Sequence, residues 1–337
     1  MKPGRLIIAA LGLAAGTYLI VREGIGQVFA ALSVAGWGGL ASITLFHVLP
    51  TVLCGIAWWL LLRAHGKEGW LFYSWVRWIR DGIDGVVPVL PVTGELVGTR
   101  ILSLRGVRMG GASIVLDLTA ELLGQLLFAL IGFALLIATH PEAPYKLWIG
   151  LGMLLMAIEF VGFLIAQKKG LFRLIERPLD WLRGRKGEAE TAAERSLHEG
   201  ILYLYKDAPA FIGCIFLHLV AWIVGGFEAW IALWFMGHPL SVGEVMAIEG
   251  LVYAIRSVGF FIPLGAGVQE GGYILIGGLI GLSPELALAL SLMKRGRDLV
   301  IGTPALILWQ LMEGNRLRRR GRAAALPALE RGPTLGT

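Results

Sequence analysis

The sequence predicts an all-α polytopic membrane protein, and three observations carry that prediction. Of its 337 residues, 56% are hydrophobic and only 16% charged, against about 25% charged in a soluble domain. Mean hydropathy is +0.71. The apolar residues come in runs of spanning length, and the basic residues gather in the loops between them. A soluble enzyme, a secreted disulfide scaffold and a disordered chain are thereby excluded. A net charge of +6 distributed in this way fits the anionic lipids of an inner leaflet and not nucleic acid. Cys54 and Cys214 both fall inside apolar runs and read as packed thiols.

A spanning helix needs roughly 20 mainly apolar residues. The first candidate, 4–20, reads as an uncleaved anchor, because Leu13 stands where a signal-peptide cleavage site wants a small residue. Further candidates are 36–62, 112–137, 147–167, 209–236 and 284–311. Pro50 and Pro304 fall inside two of them, where neighbouring helices can satisfy the freed carbonyls. Two other apolar regions carry too many charges to face lipid. Region 71–106 contains Arg77, Arg80, Asp81, Asp84, Glu95 and Arg100 around Pro88, Pro91 and Gly94. Region 244–282 contains Glu249, Arg256 and Glu270 around Pro263, Gly265 and Gly267. Non-helical backbone at membrane depth is tolerated only inside protein or beside a watery cavity, so both regions are expected to be broken or re-entrant hairpins. The total is six full spans plus two hairpins, or eight spans if each hairpin crosses completely.

Charge sets the expected orientation. Of the 30 lysines and arginines, 24 fall on one side of this layout, while the opposite loops hold only Arg22 and Lys146. Both termini are therefore expected in the cytoplasm of a bacterial inner-membrane protein. Residues 1–315 form a single transmembrane domain, 168–208 a cytoplasmic loop, and 316–337 a basic, disordered tail. Segments 36–137 and 209–311 each read as helix, hairpin, helix in opposite orientation, an inverted repeat of the kind transporters use.

Ionisable residues at membrane depth default to a functional reading. Glu95 and Glu270 each follow a proline–glycine break. They either complement a helix dipole or line a polar cleft that binds a headgroup or a proton. Asp117 and Glu121 share a helix face, as do Lys294 and Asp298, with Arg295 one residue off it. These charges either neutralise one another between helices or line a cavity. Arg100 can hold the first hairpin or meet lipid phosphate, and Arg256 is expected to pair with a carboxylate. His47 with Cys54, and Cys214 with His218, have spacings that place each pair on one helix face, but nothing brings the two pairs together, so no metal and no cofactor is expected. Asp81 and Asp84 lack the second acidic cluster of diphosphate chemistry. The glycines at 265 and 267 lack a phosphate loop's Gly-Lys-Ser/Thr ending.

Residues 91–106 (PVTGELVGTRILSLRG) with Asp117, and 263–282 (PLGAGVQEGGYILIGGLIGL), resemble the two signature stretches of the lysylphosphatidylglycerol-synthase transmembrane-region family, also described as flippase-like. Pro91, Gly94, Glu95 and Arg100 match the first stretch; Pro263, Gly265, Gly267 and Glu270 match the second. The run from Lys294 to Asp298, with Trp309 and Gln310, is similar to the hopanoid-biosynthesis-associated HpnL-type branch. The resemblance implies lipid translocation, of a hopanoid or related lipid, in company with lipid-biosynthesis proteins. A membrane-embedded transferase on a lipid-linked substrate and a non-catalytic scaffold are the alternatives. These 337 residues carry no counterpart of the larger synthases' aminoacyl-transfer domain, so lysine transfer is not implied and transport is preferred to an enzyme.

Overall fold

A computed structural model describes residues 25–87, 93–141, 146–168, 197–258, 262 and 267–330, which hold helices and turns and no strand. The expected spans at 4–20 and most of the loop at 168–208 lie outside these residues. Helices α1 (Ile25–Phe46) and α2 (Val48–Leu62) are one apolar run interrupted at His47. The interruption follows from Pro50, which has no N–H for the Phe46 carbonyl. A second kink sits at Gly36, whose φ of 56° and ψ of −165° suit only glycine. Then come α3 (Trp70–Val86), α4 (Thr93–Leu104), α5 (Gly110–Thr139) and α6 (Lys146–Lys168). After a short helical stretch over 197–204 follow α7 (Ala208–Phe235), α8 (Val242–Val258), α9 (Val268–Leu279) and α10 (Pro284–Glu330). Asp207 caps α7 by accepting from the Ala210 amide at 3.2 Å, with Pro209 in the first turn.

Among the described residues, three helical runs are long and apolar enough to cross a bilayer: Leu32–Leu62, Gly110–Thr139 and Ala208–Phe235, of 31, 30 and 28 residues. At about 1.5 Å per residue each exceeds a hydrocarbon core of about 30 Å. Their outward faces are apolar, with Trp37 85% exposed and Leu45, Ile212, Phe216 and Trp234 all exposed. A soluble surface does not carry such a belt; hydrocarbon satisfies it. The candidate at 147–167 is also helical, as α6, and 284–311 lies within α10. The tail expected to be disordered from 316 is instead helical as far as Glu330. Its arginines, alanines and leucines are strong helix formers that extend α10.

Both charge-rich regions are pairs of helices. The first comprises a 17-residue α3 and a 12-residue α4; the second comprises a 17-residue α8 and a 12-residue α9. At about 25 Å and 18 Å no limb spans a hydrocarbon core alone. The packing of the two pairs corresponds as well. Helix α3 packs on α2, α4 and α10; α8 packs on α7, α9 and α5. Each first limb thus lies against the long helix of the other half. Glycines permit both contacts. A Cβ on Gly302 would sit 2.3 Å from the Gly82 carbonyl oxygen, and one on Gly250 would sit 2.8 Å from that of Phe128, beside Gly132. Two apolar cores result: one around Trp58, Tyr73 and Leu102, the other around Ile248, Leu290 and Tyr273.

Candidate functional site

In the first half, α3 carries Arg77, Arg80 and Asp81 on one face, and α5 presents Asp117 and Glu121 four residues apart. Their spacings of three and four fix which side chains can meet. Arg77 donates to Asp81 at 2.5 Å, to Asp117 Oδ2 at 3.1 Å and to Glu121 at 2.5 Å. Arg80 donates to the same Asp117 Oδ2 at 2.8 Å and to the other Glu121 oxygen at 2.9 Å. The second Asp117 oxygen, Oδ1, lies 2.9 Å from His218 Nε2 of α7. Arg77, Arg80, Asp117 and His218 are all buried. Glu95, on α4, stands 3.8 Å from Arg80, and its Oε2 makes no hydrogen bond. Charges withdrawn this far from water persist only when paired, and here Arg77 bridges three carboxylates and Arg80 donates to two of them.

In the second half the acid is on the hairpin and the base on the long helix. Lys294 of α10 pairs with Glu249 of α8, whose other oxygen accepts from Tyr273 at 2.6 Å. Tyr253 lies 3.4 Å from the Lys294 ammonium and beneath the Arg256 guanidinium, 5.6 Å away. Glu270 closes the start of α9 by accepting from the Gly267 amide at 2.8 Å, and Gly267 turns the chain there with φ of 79°. It also takes both Nε and a terminal nitrogen of Arg295, at 2.5 and 3.1 Å. A third group ties the halves together: buried Glu228 of α7 pairs with Arg297 of α10 through one oxygen and with His47 Nδ1 at 2.7 Å through the other. Arg297 also holds Asp298 at 2.6 Å. The most accessible members of these groups are Asp81, Asp298, His47 and Arg295, with side chains 35%, 31%, 26% and 24% exposed. Chemically the arrangement can exchange ion-pair partners and protons, and its exposed acids and bases can meet a polar headgroup.

A profile of the lysylphosphatidylglycerol synthase transmembrane region matches residues 6–305. The chain belongs to that family. No curated protein and no solved structure matches it significantly. Membership in the lysylphosphatidylglycerol synthase transmembrane family gives the chain a membrane location and a membrane-lipid-related role.

Within this family frame, the structure brings together many of the residues singled out from sequence. Asp117 and Glu121 share Arg77 and Arg80; Glu270 meets Arg295; Asp298 meets Arg297. Glu95 and its neighbour Gly94 begin α4, where the Gly94 amide donates to Asp84 at 2.7 Å. Pro91, Pro263 and Gly265 lie outside the described residues. Arg100, expected to hold the first hairpin or to meet lipid phosphate, is 41% exposed and donates to Glu313 of α10 at 3.0 Å. One expectation needs correction. Arg256, expected on a carboxylate, lies over the Tyr253 ring, with no carboxylate of the described residues within ion-pair distance. Sequence reasoning missed Arg77, Arg80, Glu249 and Arg297 as partners, together with His47, Glu228 and His218. The available signal was the i, i+4, i+7 series Arg77, Asp81, Asp84, matched by Glu249, Tyr253, Arg256. Asp117, Cys214 and His218 offer ligand-type atoms within 4.8 Å of one another, but two guanidiniums already occupy Asp117 and oppose an added metal cation. The trio reads as part of the ion-pair network.

Proposed function

We propose that the protein translocates a lipid across the bacterial inner membrane, a hopanoid or related lipid by its likeness to the HpnL-type branch, without covalent change to the lipid. The carrying observation is that two corresponding broken hairpins each deliver paired charges to the long helices, leaving Asp81, Arg295 and Asp298 accessible. A translocator must shield a polar headgroup while the tail stays in hydrocarbon, and a charged groove between discontinuous helices meets that need. The equal limb lengths and exchanged packing of the hairpins support an inverted repeat, and the gathering of 24 lysines and arginines on one side supports six full crossings with cytoplasmic termini. Partner lipid-biosynthesis enzymes would supply the substrate.

Purified protein in liposomes tests this reading. Movement of unchanged hopanoid between leaflets or to acceptor vesicles is the expected result. A new covalent product would replace it with a transferase, and neither outcome would leave a scaffold. Orientation has its own check: single cysteines near residues 185 and 325 should be shielded from an impermeant thiol reagent in intact cells, and one near 140 should label.

A further inference from the structure

The group around His218 has features that ion pairing alone does not explain. His218 is the eleventh residue of the 28-residue α7, and its side chain has no exposure. Its Nε2 meets Asp117 Oδ1 at 2.9 Å. A carboxylate can only accept, so Nε2 carries the hydrogen and the tautomer is fixed. That leaves Nδ1, a buried basic nitrogen whose one neighbour among the described residues is the weakly hydrogen-bonding Cys214 thiol, as the atom able to take a proton. The surroundings favour a positive charge there. Arg77 and Arg80 supply two positive charges, whereas Asp81, Asp117, Glu121 and Glu95 supply four negative ones within 4 Å of them. An uncompensated negative charge at this depth is costly. Other elements packed on α7 do not supply the balance. Helix α1 has no ionisable residue, α2 offers only Cys54, and α7 itself offers Cys214 one turn away. The charges of α8 and α10 meet α7 further along, where Arg297 takes Glu228 and Tyr253 meets Trp222 edge to face.

We propose that His218 is a proton-binding site, protonated at Nδ1 in this arrangement, and that its proton is the ion coupled to lipid movement. The coupling rests on the translocation reading; the binding does not. When Asp117 changes partners the imidazolium loses its counter-charge and releases the proton. Arg77 links Asp117 to Asp81, whose 35% exposure gives the nearest contact with water.

The first measurement is the histidine ¹⁵N spectrum of the reconstituted wild-type protein at pH 8, above the ordinary imidazole range. An imidazolium signal should persist, vanish in His218→Gln and survive in His47→Gln. It should also turn neutral in Asp117→Asn. A neutral His218 at that pH overturns the proposal. The second measurement follows proton entry into phosphatidylglycerol vesicles with an internal pH dye, alongside hopanoid transfer in the same vesicles. One proton per lipid makes a one-unit pH gradient bias transfer by about tenfold. Hopanoid transfer without that bias overturns the coupling and leaves translocation standing. Proton entry without hopanoid transfer overturns translocation and leaves the proton site standing. Absence of both proton entry and hopanoid transfer overturns coupling and translocation together. Melting curves show whether the variants fold, and the wild-type spectrum needs no variant.

Discussion

The two hairpins are alike in geometry and, at two positions of the first limb, opposite in charge. Limbs of 17 and 12 residues recur in each, and each first limb lies against the long helix of the other half. At the eighth position of the first limb, α3 has Arg77 and α8 has Glu249; at the fifteenth, α3 has Asp84 and α8 has Arg256. Partners on the long helices invert to match, Asp117 and Glu121 against Arg77, Lys294 against Glu249. The lesson is that backbone packing and charge are separable. Glycine contacts and limb lengths are common to the two helix pairs, while sign varies as long as each buried charge keeps a partner.

The largest expected effect follows from how many partners each half provides. Lys294 is the ammonium that neutralises Glu249, and both are buried. Lys294→Met leaves a buried carboxylate uncompensated and should cost about 3–5 kcal/mol. Adding Glu249→Gln should recover most of that loss, because removing both partners is far cheaper than removing one. Tryptophan-fluorescence melting measures both variants. A double variant as unstable as the single would break the claim that this is a charge pair.

The first half should be more forgiving, because two guanidiniums serve Asp117 and Glu121 together. Arg77→Met leaves Arg80 on both carboxylates, so its expected cost is that of charged hydrogen bonds, about 1.5–3 kcal/mol. The comparison fails if Arg77→Met is as damaging as Lys294→Met. A further test probes the glycine contacts. Gly302→Ala should cost about 1–3 kcal/mol by overpacking, and more than Gly132→Ala, since the added Cβ meets Gly82 at 2.3 Å in the first case and nothing nearer than 3.1 Å in the second. Reversed ranking in the same melting assay would refute the tighter α3–α10 contact.

The architecture was largely legible in sequence because composition and periodicity are local signals. The runs at 112–137 and 209–236 became α5 and α7 within a few residues, and the charge density of 71–106 and 244–282 marked two pairs of shorter helices. The pairing was not legible. Glu228, alone in an apolar run, gave no hint that Arg297 and His47 would reach it, since residues 69 and 181 positions away meet only through packing of α7 with α10 and α2. Lys294 and Asp298 lie one turn apart and share a helix face, yet each meets a different residue, Glu249 and Arg297. Helical spacing says which residues share a face, not which helix that face meets.

Glu95 and Glu270 give the finest form of the comparison. Each is the third residue of a 12-residue helix, where a carboxylate can receive orphan amides and complement the dipole. Glu270 is used in that way: it takes the Gly267 amide, the Arg295 fork and, at 3.3 Å, the Ser291 hydroxyl. Among the described residues Glu95 has the 3.8 Å approach of Arg80 as its ion pair, and one of its oxygens is buried without a hydrogen bond. Glu270→Gln should therefore destabilise the protein more than Glu95→Gln, whose effect on melting should stay under about 1 kcal/mol. If the first hairpin's carboxylate serves the headgroup, hopanoid transfer in proteoliposomes should fall in Glu95→Gln although the fold is kept. Transfer at the wild-type rate in a stable Glu95→Gln would confine the working carboxylates to the second half. Matched protein incorporation is required, and the Glu270→Gln melting curve separates loss of the α9 cap from loss of a substrate contact.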